Sequence, residues 1–132
     1  MNSLIQDAFS TSPFALTLLT NNLEASKKFY GQTLQLDKVF EDEVSAVYRC
    51  GSTVINILEE SAAADLVSPA SIGDANGIRA VYTLKCQDID GAANQLVAAG
   101  VKLLNGPVDR PWGVRTVSFQ DPSGHTWELA NH

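Results

Sequence analysis

The fold is decided by residues 111–129, PWGVRTVSFQDPSGHTWEL, which predict two short strands joined by a tight turn. The turn is Asp121-Pro122-Ser123-Gly124, where aspartate bonds its own backbone, proline presets φ and glycine accepts a positive φ. Polar and apolar residues alternate on both sides of this turn, so each strand has one apolar and one polar face. Glu128 lies on a polar face. Whether that carboxylate meets solvent or a cavity decides what the protein does.

The composition is that of one globular domain, which we expect to span residues 1–132. Hydrophobic residues make up 45% of the chain and charged residues 18%, which is typical of a folded protein. The formal net charge of −6 argues against nucleic-acid binding, which needs a basic face. No apolar run approaches about 18 residues, and residues 1–12 lack a basic signal-peptide region. We therefore expect a cytoplasmic protein without membrane association.

The cysteines and histidines point to no zinc site and no nucleophile. Cys50 and Cys86 each lie within a predicted strand, where a buried free thiol is the expected state. His125 lies beside the turn and His132 is the last residue. No CxxC pair, Ser-His-Asp arrangement or glycine-rich phosphate loop is present in the sequence.

Two halves of the chain share one pattern. Residues 16–25, LTLLTNNLEA, resemble residues 82–91, YTLKCQDIDG, and in each an alternating strand runs into a capped helix. After each helix three short strands are predicted, at 37–42, 45–50 and 53–59 and again at 102–109, 113–119 and 125–130. The predicted fold is α+β: two tandem βαβββ modules, at residues 13–60 and 79–130, joined by a linker at 61–78.

The ends of the two helices carry capping signals. Asn21 and Glu24 have the spacing of a capping box, which predicts that the first helix begins there. Gly100 is the predicted C-cap of the second helix. The apolar stripe of the first helix is predicted to consist of Leu23, Tyr30 and Leu34.

The sheet faces that point away from the helices are predicted to enclose a cup. Strand alternation places the carboxylate of Glu128 on the cup side together with the hydroxyls of Thr17, Thr83, Thr116, Ser118 and Thr126. Threonine is common in strands through propensity alone, so the prediction rests on several strands showing hydroxyls on one side. One of Tyr48 and Arg49 must also face the cup, and alternation does not decide which.

This pattern resembles the vicinal oxygen chelate superfamily, which includes glyoxalase I, fosfomycin-resistance enzymes, extradiol dioxygenases and, as the most similar branch, bleomycin-resistance proteins. The resemblance covers roughly residues 13–130. It rests on Asn22–Tyr30, Asp88–Asp90, Ala99–Val101 and Asp121–Leu129. It implies a small-molecule ligand and a homodimer. The fold hosts several activities, so the resemblance specifies none of them.

The resemblance also predicts where a metal would lie. Metal enzymes of the superfamily place ligands on the first and last strand of each module. These positions fall on Ala15, Val81, Glu128 and either Ile55 or Asn56, of which alternation favours Asn56. A divalent site needs about three or more protein donors, and only Glu128 is a strong one. We therefore expect no resident metal, and the alternative is a weakly held divalent ion at Glu128.

Three functions fit these observations. In the first, Trp112 stacks on an aromatic or cationic, antibiotic-like molecule and Glu128 supplies the opposite charge, without metal. In the second, Glu128 is the general base or metal ligand of a glyoxalase-like lyase, isomerase or dioxygenase. In the third, the cup is vestigial and the domain is structural or regulatory. The first is favoured because binding needs no metal ligands. The predicted ligand contacts are Trp112, Thr116, Ser118, Thr17, Thr83, Asn56 and Tyr48.

Overall fold

The structure is a computed structural model that describes residues 3–132. The helices are α1 (Ser3–Phe9), α2 (Leu23–Lys27), α3 (Glu60–Val67) and α4 (Ile89–Ala98), with a π-helix at Lys28–Thr33. The strands are β1 (Ala15–Thr20), β2 (Lys38–Glu41), β3 (Ser45–Cys50), β4 (Thr53–Glu59), β5 (Val81–Lys85), β6 (Leu103–Asp109), β7 (Arg115–Gln120) and β8 (Thr126–Ala130). They form two compact units, Met1–Leu66 and Val67–His132. None of the described helices is long and apolar enough to cross a membrane.

The two units contain sheets of the same topology. The first has the strand order β1-β4-β3-β2 and the second has β5-β8-β7-β6. In each, the first strand pairs in parallel with the last, and the other pairs are antiparallel. The register is equivalent as well: Thr17 pairs with Asn56 in the first sheet, and Thr83 with Glu128 in the second. The predicted α+β class and the βαβββ repeat are confirmed.

The core of the first unit lies between its sheet and α2. Leu18 of β1 and Ile55 and Ile57 of β4 are each at most 2% exposed. Burying a side chain of this size contributes about 1.5–3 kcal/mol. Because strand residues alternate between faces, the residues between these three point to the side away from α2.

The first helix differs from the single α-helix that the sequence predicts. The α-helix ends at Lys27 and a π-helix follows at Lys28–Thr33. In the wider turn both Phe29 and Tyr30 are buried, with ring centroids 5.1 Å apart in an edge-to-face arrangement. Leu34, predicted to be on the apolar stripe, is only half-buried. A π-helical turn contains one residue more than an α-helical turn. The spacing of apolar residues in the sequence does not reveal this insertion.

The predicted capping box at Asn21 is wrong. The cap is Asn22, whose Oδ1 accepts a hydrogen bond of 3.1 Å from the backbone N–H of Ala25. The reciprocal bond does not come from Glu24, which is exposed. Instead the N–H of Asn22 donates to Oγ1 of Thr20 at 3.0 Å. The N–H of Leu23, the first residue of the helix, donates to Oε1 of Glu59 at 3.3 Å. Since β1 continues to Thr20, Asn21 lies in the bend before the helix and the N-cap falls one residue later, at Asn22.

The second helix begins and ends as predicted. The Oδ1 of Asp88 accepts a 2.9 Å bond from the N–H of Gly91. At the other end Gly100 has a φ of +86°, and the N–H of Val101 donates to the carbonyl of Leu96 at 2.9 Å. This is the Schellman motif that a glycine after the last helical turn permits. The helix packs Ile89 and Ala93 against Val117 of β7, which fixes the helix-bearing face of the second sheet.

Two further helices lie outside the βαβββ pattern. The sequence pattern did not predict α1, and none of its residues is buried. Helix α3 occupies the start of the predicted linker and buries only Ala63. The strand predictions are within two residues of the observed bounds, because alternation is a strong signal for half-buried strands.

Candidate functional site

The second sheet carries a row of polar side chains on the side away from α4. Glu128 of β8 pairs with Thr83 of β5 on one side and with Ser118 of β7 on the other. Ser118 pairs in turn with Asn105 of β6. Val117, the strand neighbour of Ser118, packs on α4, so alternation puts this row on the opposite side. We call this side the polar face, formed by Thr83, Asn105, Arg110, Thr116, Ser118 and Glu128.

A hydroxyl orients the carboxylate of Glu128. The Oγ1 of Thr83 donates to Glu128 Oε1 at 2.9 Å, and the side chain of Glu128 is half-buried. The cross-strand register brings the two residues together, since both are on the same face of adjacent parallel strands. The second carboxylate oxygen is available to accept a bond from an ammonium or hydroxyl group of a ligand. Two of the predicted site residues, Thr83 and Glu128, therefore form one unit.

Two other predicted contacts on this face are buried. Thr116 is 1% exposed and Ser118 is 5% exposed. The Oγ1 of Thr116 accepts a bond of 2.9 Å from Nε of Arg110. Direct contact of either hydroxyl with a ligand stays a prediction.

Sequence reasoning missed Arg110. Its Nη2 donates to Oδ1 of Asn105 at 2.8 Å, in addition to the bond from Nε to Thr116. Its Cζ lies 6.0 Å from the ring centroid of Trp112. Arg110 follows the last residue of β6, so strand alternation assigned it no face. The only sequence signal is its place two residues before Trp112 in a turn.

Trp112 lies at the tip of the turn between β6 and β7. It is 69% exposed. The turn is closed by a bond from the N–H of Arg110 to the carbonyl of Val114 at 2.8 Å, and by one from Gly113 back to Arg110 at 3.0 Å. The predicted position of an aromatic side chain in a tight turn is confirmed, and its stacking on a ligand stays a prediction.

The first sheet has a different character on its side away from α2. Nδ2 of Asn56 donates to Oγ1 of Thr17 at 3.4 Å, so these two predicted site residues are also neighbours. Beside them is a cavity of about 400 Å³, lined by Asn56 and mainly apolar side chains, including Phe14, Val39, Phe40, Val47 and Val54. The position equivalent to Glu128 is thus an uncharged amide in an apolar recess.

Tyr48 does not lie with Thr17 and Asn56. It pairs with Ile55, both side chains are 2% exposed, and its ring stacks on Tyr30 at 5.9 Å between centroids. The inclusion of Tyr48 on the cup side is corrected: it faces the helix, and its neighbour Arg49 occupies the other side. The pairing of Tyr48 with the core residue Ile55 determines which face Tyr48 occupies. The sequence did not reveal this, because the length of the turn between the strands was uncertain.

Tyr48 instead lines a second cavity, of about 570 Å³, next to the π-helix. Lys27, Lys28 and Lys38 also line it. Glu41 pairs with Lys27 at 3.2 Å and with Lys38 at 2.7 Å, and its hydrogen bond raises the pKa of Lys27. Burial raises the pKa of Tyr48. Two of the three lysines that line this cavity, Lys27 and Lys38, are therefore paired with a carboxylate of the same unit.

Two βαβββ modules with this strand order define the class of glyoxalase-fold proteins. Residues 13–129 match the family described as the Glyoxalase/Bleomycin resistance protein/Dioxygenase superfamily, and the chain belongs to that superfamily. No curated protein matches the sequence of the chain.

Solved structures show the same fold. A glyoxalase/bleomycin resistance protein/dioxygenase from Nocardioides has a TM-score of 0.81 at 23% identity, covering 98% of this chain and 91% of the other. A glyoxalase-related enzyme from Fulvimarina pelagi has 0.79 at 24%, covering 92% and 88%. A lactoylglutathione lyase from Agrobacterium tumefaciens has 0.73 at 19%, covering 92% and 93%. At these identities the likeness extends to the fold alone.

The residues of this chain do not fit the metal chemistry of the superfamily. Ala15 and Val81, at two of the expected ligand positions, carry no side-chain donor atom. Within residues 3–132, no group of three or more His, Cys, Asp or Glu side chains is placed to hold a metal ion. The side-chain oxygens of Glu128 and Asn56 lack the further donors that a tight divalent site requires.

Proposed function

We propose that the chain is a binding protein of the bleomycin-resistance type, which takes a small aromatic or cationic organic molecule without a metal. The observation that carries this proposal is the oriented carboxylate of Glu128 on the same module as the exposed ring of Trp112. A carboxylate that already accepts one bond from Thr83 at 2.9 Å is held ready for a cationic or hydroxylated group. Binding requires no further catalytic group.

Trp112 supplies the apolar part of this recognition. A tryptophan that is 69% exposed at the tip of a turn contributes little to the core of its own module. Its large planar surface is suited to stacking on an aromatic ligand, and its indole N–H offers one directed hydrogen bond. The net charge of −6 further favours the approach of a cation.

The choice of a metal-independent function follows from donor chemistry. A metal-assisted lyase or dioxygenase needs an ion to polarise the substrate oxygen. Alanine and valine at the expected ligand positions cannot hold one, and a single carboxylate binds divalent ions weakly. Sequestration of a ligand needs only the polar face and the aromatic ring.

Tryptophan fluorescence tests the proposal. The other tryptophan, Trp127, is 3% exposed, so quenching by an added ligand reports on Trp112. Titration with benzylamine and with bleomycin is expected to give saturable quenching that is lost in Trp112→Phe. Glu128→Gln is expected to weaken binding about tenfold, since a hydrogen bond to a charged group is removed. Asp65→Asn, which removes an exposed carboxylate from α3, is the control and is expected to bind as the parent does.

The outcomes separate binding from metal-assisted catalysis. No saturable quenching, or equal affinities for the parent and Glu128→Gln, would overturn the proposal. Metal content is measured by plasma mass spectrometry after incubation with Ni²⁺, Zn²⁺, Mn²⁺ and Fe²⁺. Near-stoichiometric metal that is lost in Glu128→Ala would replace the binding protein with a metal-assisted lyase, isomerase or dioxygenase.

A further inference from the structure

We propose that Arg110 binds an anionic oxygen group of the ligand, so that the molecule taken by this protein is amphoteric. It would carry a carboxylate or phosphate-type group for Arg110 and a cationic group for Glu128. This inference rests on the proposed function, because it names the class of molecule that binds to the same polar face.

The guanidinium of Arg110 is held in place by neutral partners. Nε donates to Thr116 at 2.9 Å and Nη2 donates to Asn105 at 2.8 Å. Both acceptors are side-chain oxygens of neighbouring strands, so the plane of the group is fixed against the sheet. These two bonds use two of the five N–H donors of an arginine side chain, and the others are available to a ligand.

The positive charge of Arg110 is not neutralised. Nearby carboxylates pair with a different arginine: Asp90 and Asp109 lie 2.9 and 3.0 Å from Arg115. Over the part of the chain that the structure describes, no carboxylate forms an ion pair with Arg110. Holding a long side chain in one rotamer costs conformational entropy. A fixed, unpaired guanidinium has met that cost before an anion arrives, which is the preorganisation that favours tight binding.

The sheet register relates the positions of the two charged groups. Arg110 bonds Thr116, and Glu128 pairs with Ser118, two residues further along the same face of β7. Thr116 and Ser118 are about 7 Å apart along β7. Asn105, which accepts a bond from Arg110, and Glu128 lie on the two strands that flank Ser118, so the two charged groups lie across β7 from each other. The ring of Trp112 is 6.0 Å from the Arg110 Cζ, so an apolar portion of the ligand has a surface beside the anionic end. A small aromatic amine with a carboxylate across the ring meets all three features.

Two probes that differ in one charge test the inference. The first is para-aminomethylbenzoate, and the second is para-aminomethylbenzamide, which replaces the carboxylate with a neutral amide. In titrations followed by Trp112 fluorescence, the parent protein is expected to bind the benzoate about tenfold more tightly than the benzamide. Arg110→Gln is expected to bring that ratio to about one and to leave the affinity for the benzamide unchanged.

Three further variants show whether a lost preference for the benzoate comes from Arg110 itself or from a general disturbance of the fold. Arg110→Lys retains the charge without the planar fork, and Asn105→Ala releases one of the two bonds that hold the guanidinium. Both are expected to give ratios between those of the parent and Arg110→Gln. Arg79→Gln removes an exposed arginine that lies before β5, outside the polar face, and is expected to keep the parent ratio. Circular dichroism checks that each variant is folded.

The possible results distinguish the failure of this inference from the failure of the proposed function. If the parent binds both probes equally and the Arg110 variants change neither affinity, the role of Arg110 is overturned while binding at Glu128 and Trp112 stands. If the parent binds neither probe, both proposals are overturned. A benzoate preference that persists in all Arg110 and Asn105 variants would place the anion elsewhere and overturn the inference as well.

Discussion

Gly106 is the position where the structure makes its sharpest stability prediction. It lies in β6 at a shift in the register with β7, with a φ of +91°. A Cβ at this position would lie 2.5 Å from the carbonyl oxygen of Thr116 and 2.9 Å from the Cα of Val117. Both contacts are with backbone atoms of the neighbouring strand, which cannot move aside as a flexible side chain would.

Gly113 provides a matched control for the substitution Gly106→Ala. It has a φ of +97°, and a Cβ there would meet nothing within 4 Å. Gly113→Ala is therefore expected to cost only the backbone strain of a left-handed alanine, about 1–2 kcal/mol. Gly106→Ala carries the same strain and adds overpacking, for which about 1–3 kcal/mol more is expected. The difference between the two variants isolates the steric contribution.

Urea unfolding followed by tryptophan fluorescence measures this difference. Both tryptophans, Trp112 and Trp127, belong to the unit Val67–His132, so the signal reports the unit that contains the substitutions. The urea concentration at the unfolding midpoint is expected to be highest for the parent, lower for Gly113→Ala and lowest for Gly106→Ala. A Gly106→Ala protein as stable as Gly113→Ala would refute the argument that the close approach of β6 to β7 excludes a side chain.

Three other predictions follow from the first unit and from the resemblance. Asn22→Ala is expected to lower the free energy of unfolding by about 1 kcal/mol through the lost N-cap, and Asn21→Ala by less than about 0.5 kcal/mol, as measured by circular dichroism in urea. Hydrogen bonds from the Val44 N–H and from Ser45 hold the pKa of Asp42 below its usual value. Its stabilising contribution is therefore full above the unfolded pKa of about 4 and is lost as the pH falls through the folded pKa. Asp42→Asn should flatten the dependence of Tm on pH below that point, and an unchanged profile would contradict this. The homodimer implied by the superfamily is expected in sedimentation equilibrium as twice the chain mass, and a monomer would count against it.

Most of the strand arrangement could be predicted from the sequence, because alternation and turn residues are local signals. The pattern of residues 115–129 gave both strands and the turn, and the repeat at residues 82–91 gave the second module. The π-helix could not be predicted in this way, since the residue types in a π-turn do not differ from those in an ordinary α-helix. The displaced cap at Asn22 depends on where β1 ends, which tertiary pairing with β4 decides.

The candidate site was predicted only where it follows strand parity. Thr83 and Glu128 were expected on one face, and the register brings them together at 2.9 Å. Tyr48 was included among the ligand contacts although strand alternation left open whether Tyr48 or Arg49 faces the cup, and its pairing with Ile55 puts it on the helix side. Arg110 was missed because the direction of its side chain depends on hydrogen bonds to Thr116 and Asn105. Both partners are close in sequence, but strand alternation does not predict these bonds. Turn residues adopt orientations that no periodicity encodes.

The equivalent registers of the two modules have a consequence for how this chain can change. Each position on the sheet exists twice, as the pairs Thr17–Asn56 and Thr83–Glu128 show. Because the module is duplicated, one copy can keep a charged residue at a given position while the other copy takes an uncharged residue that suits its local packing. Here the second copy holds the carboxylate and the first holds an amide beside apolar residues. A new specificity could therefore arise by altering one half, with the architecture of the other left as it is.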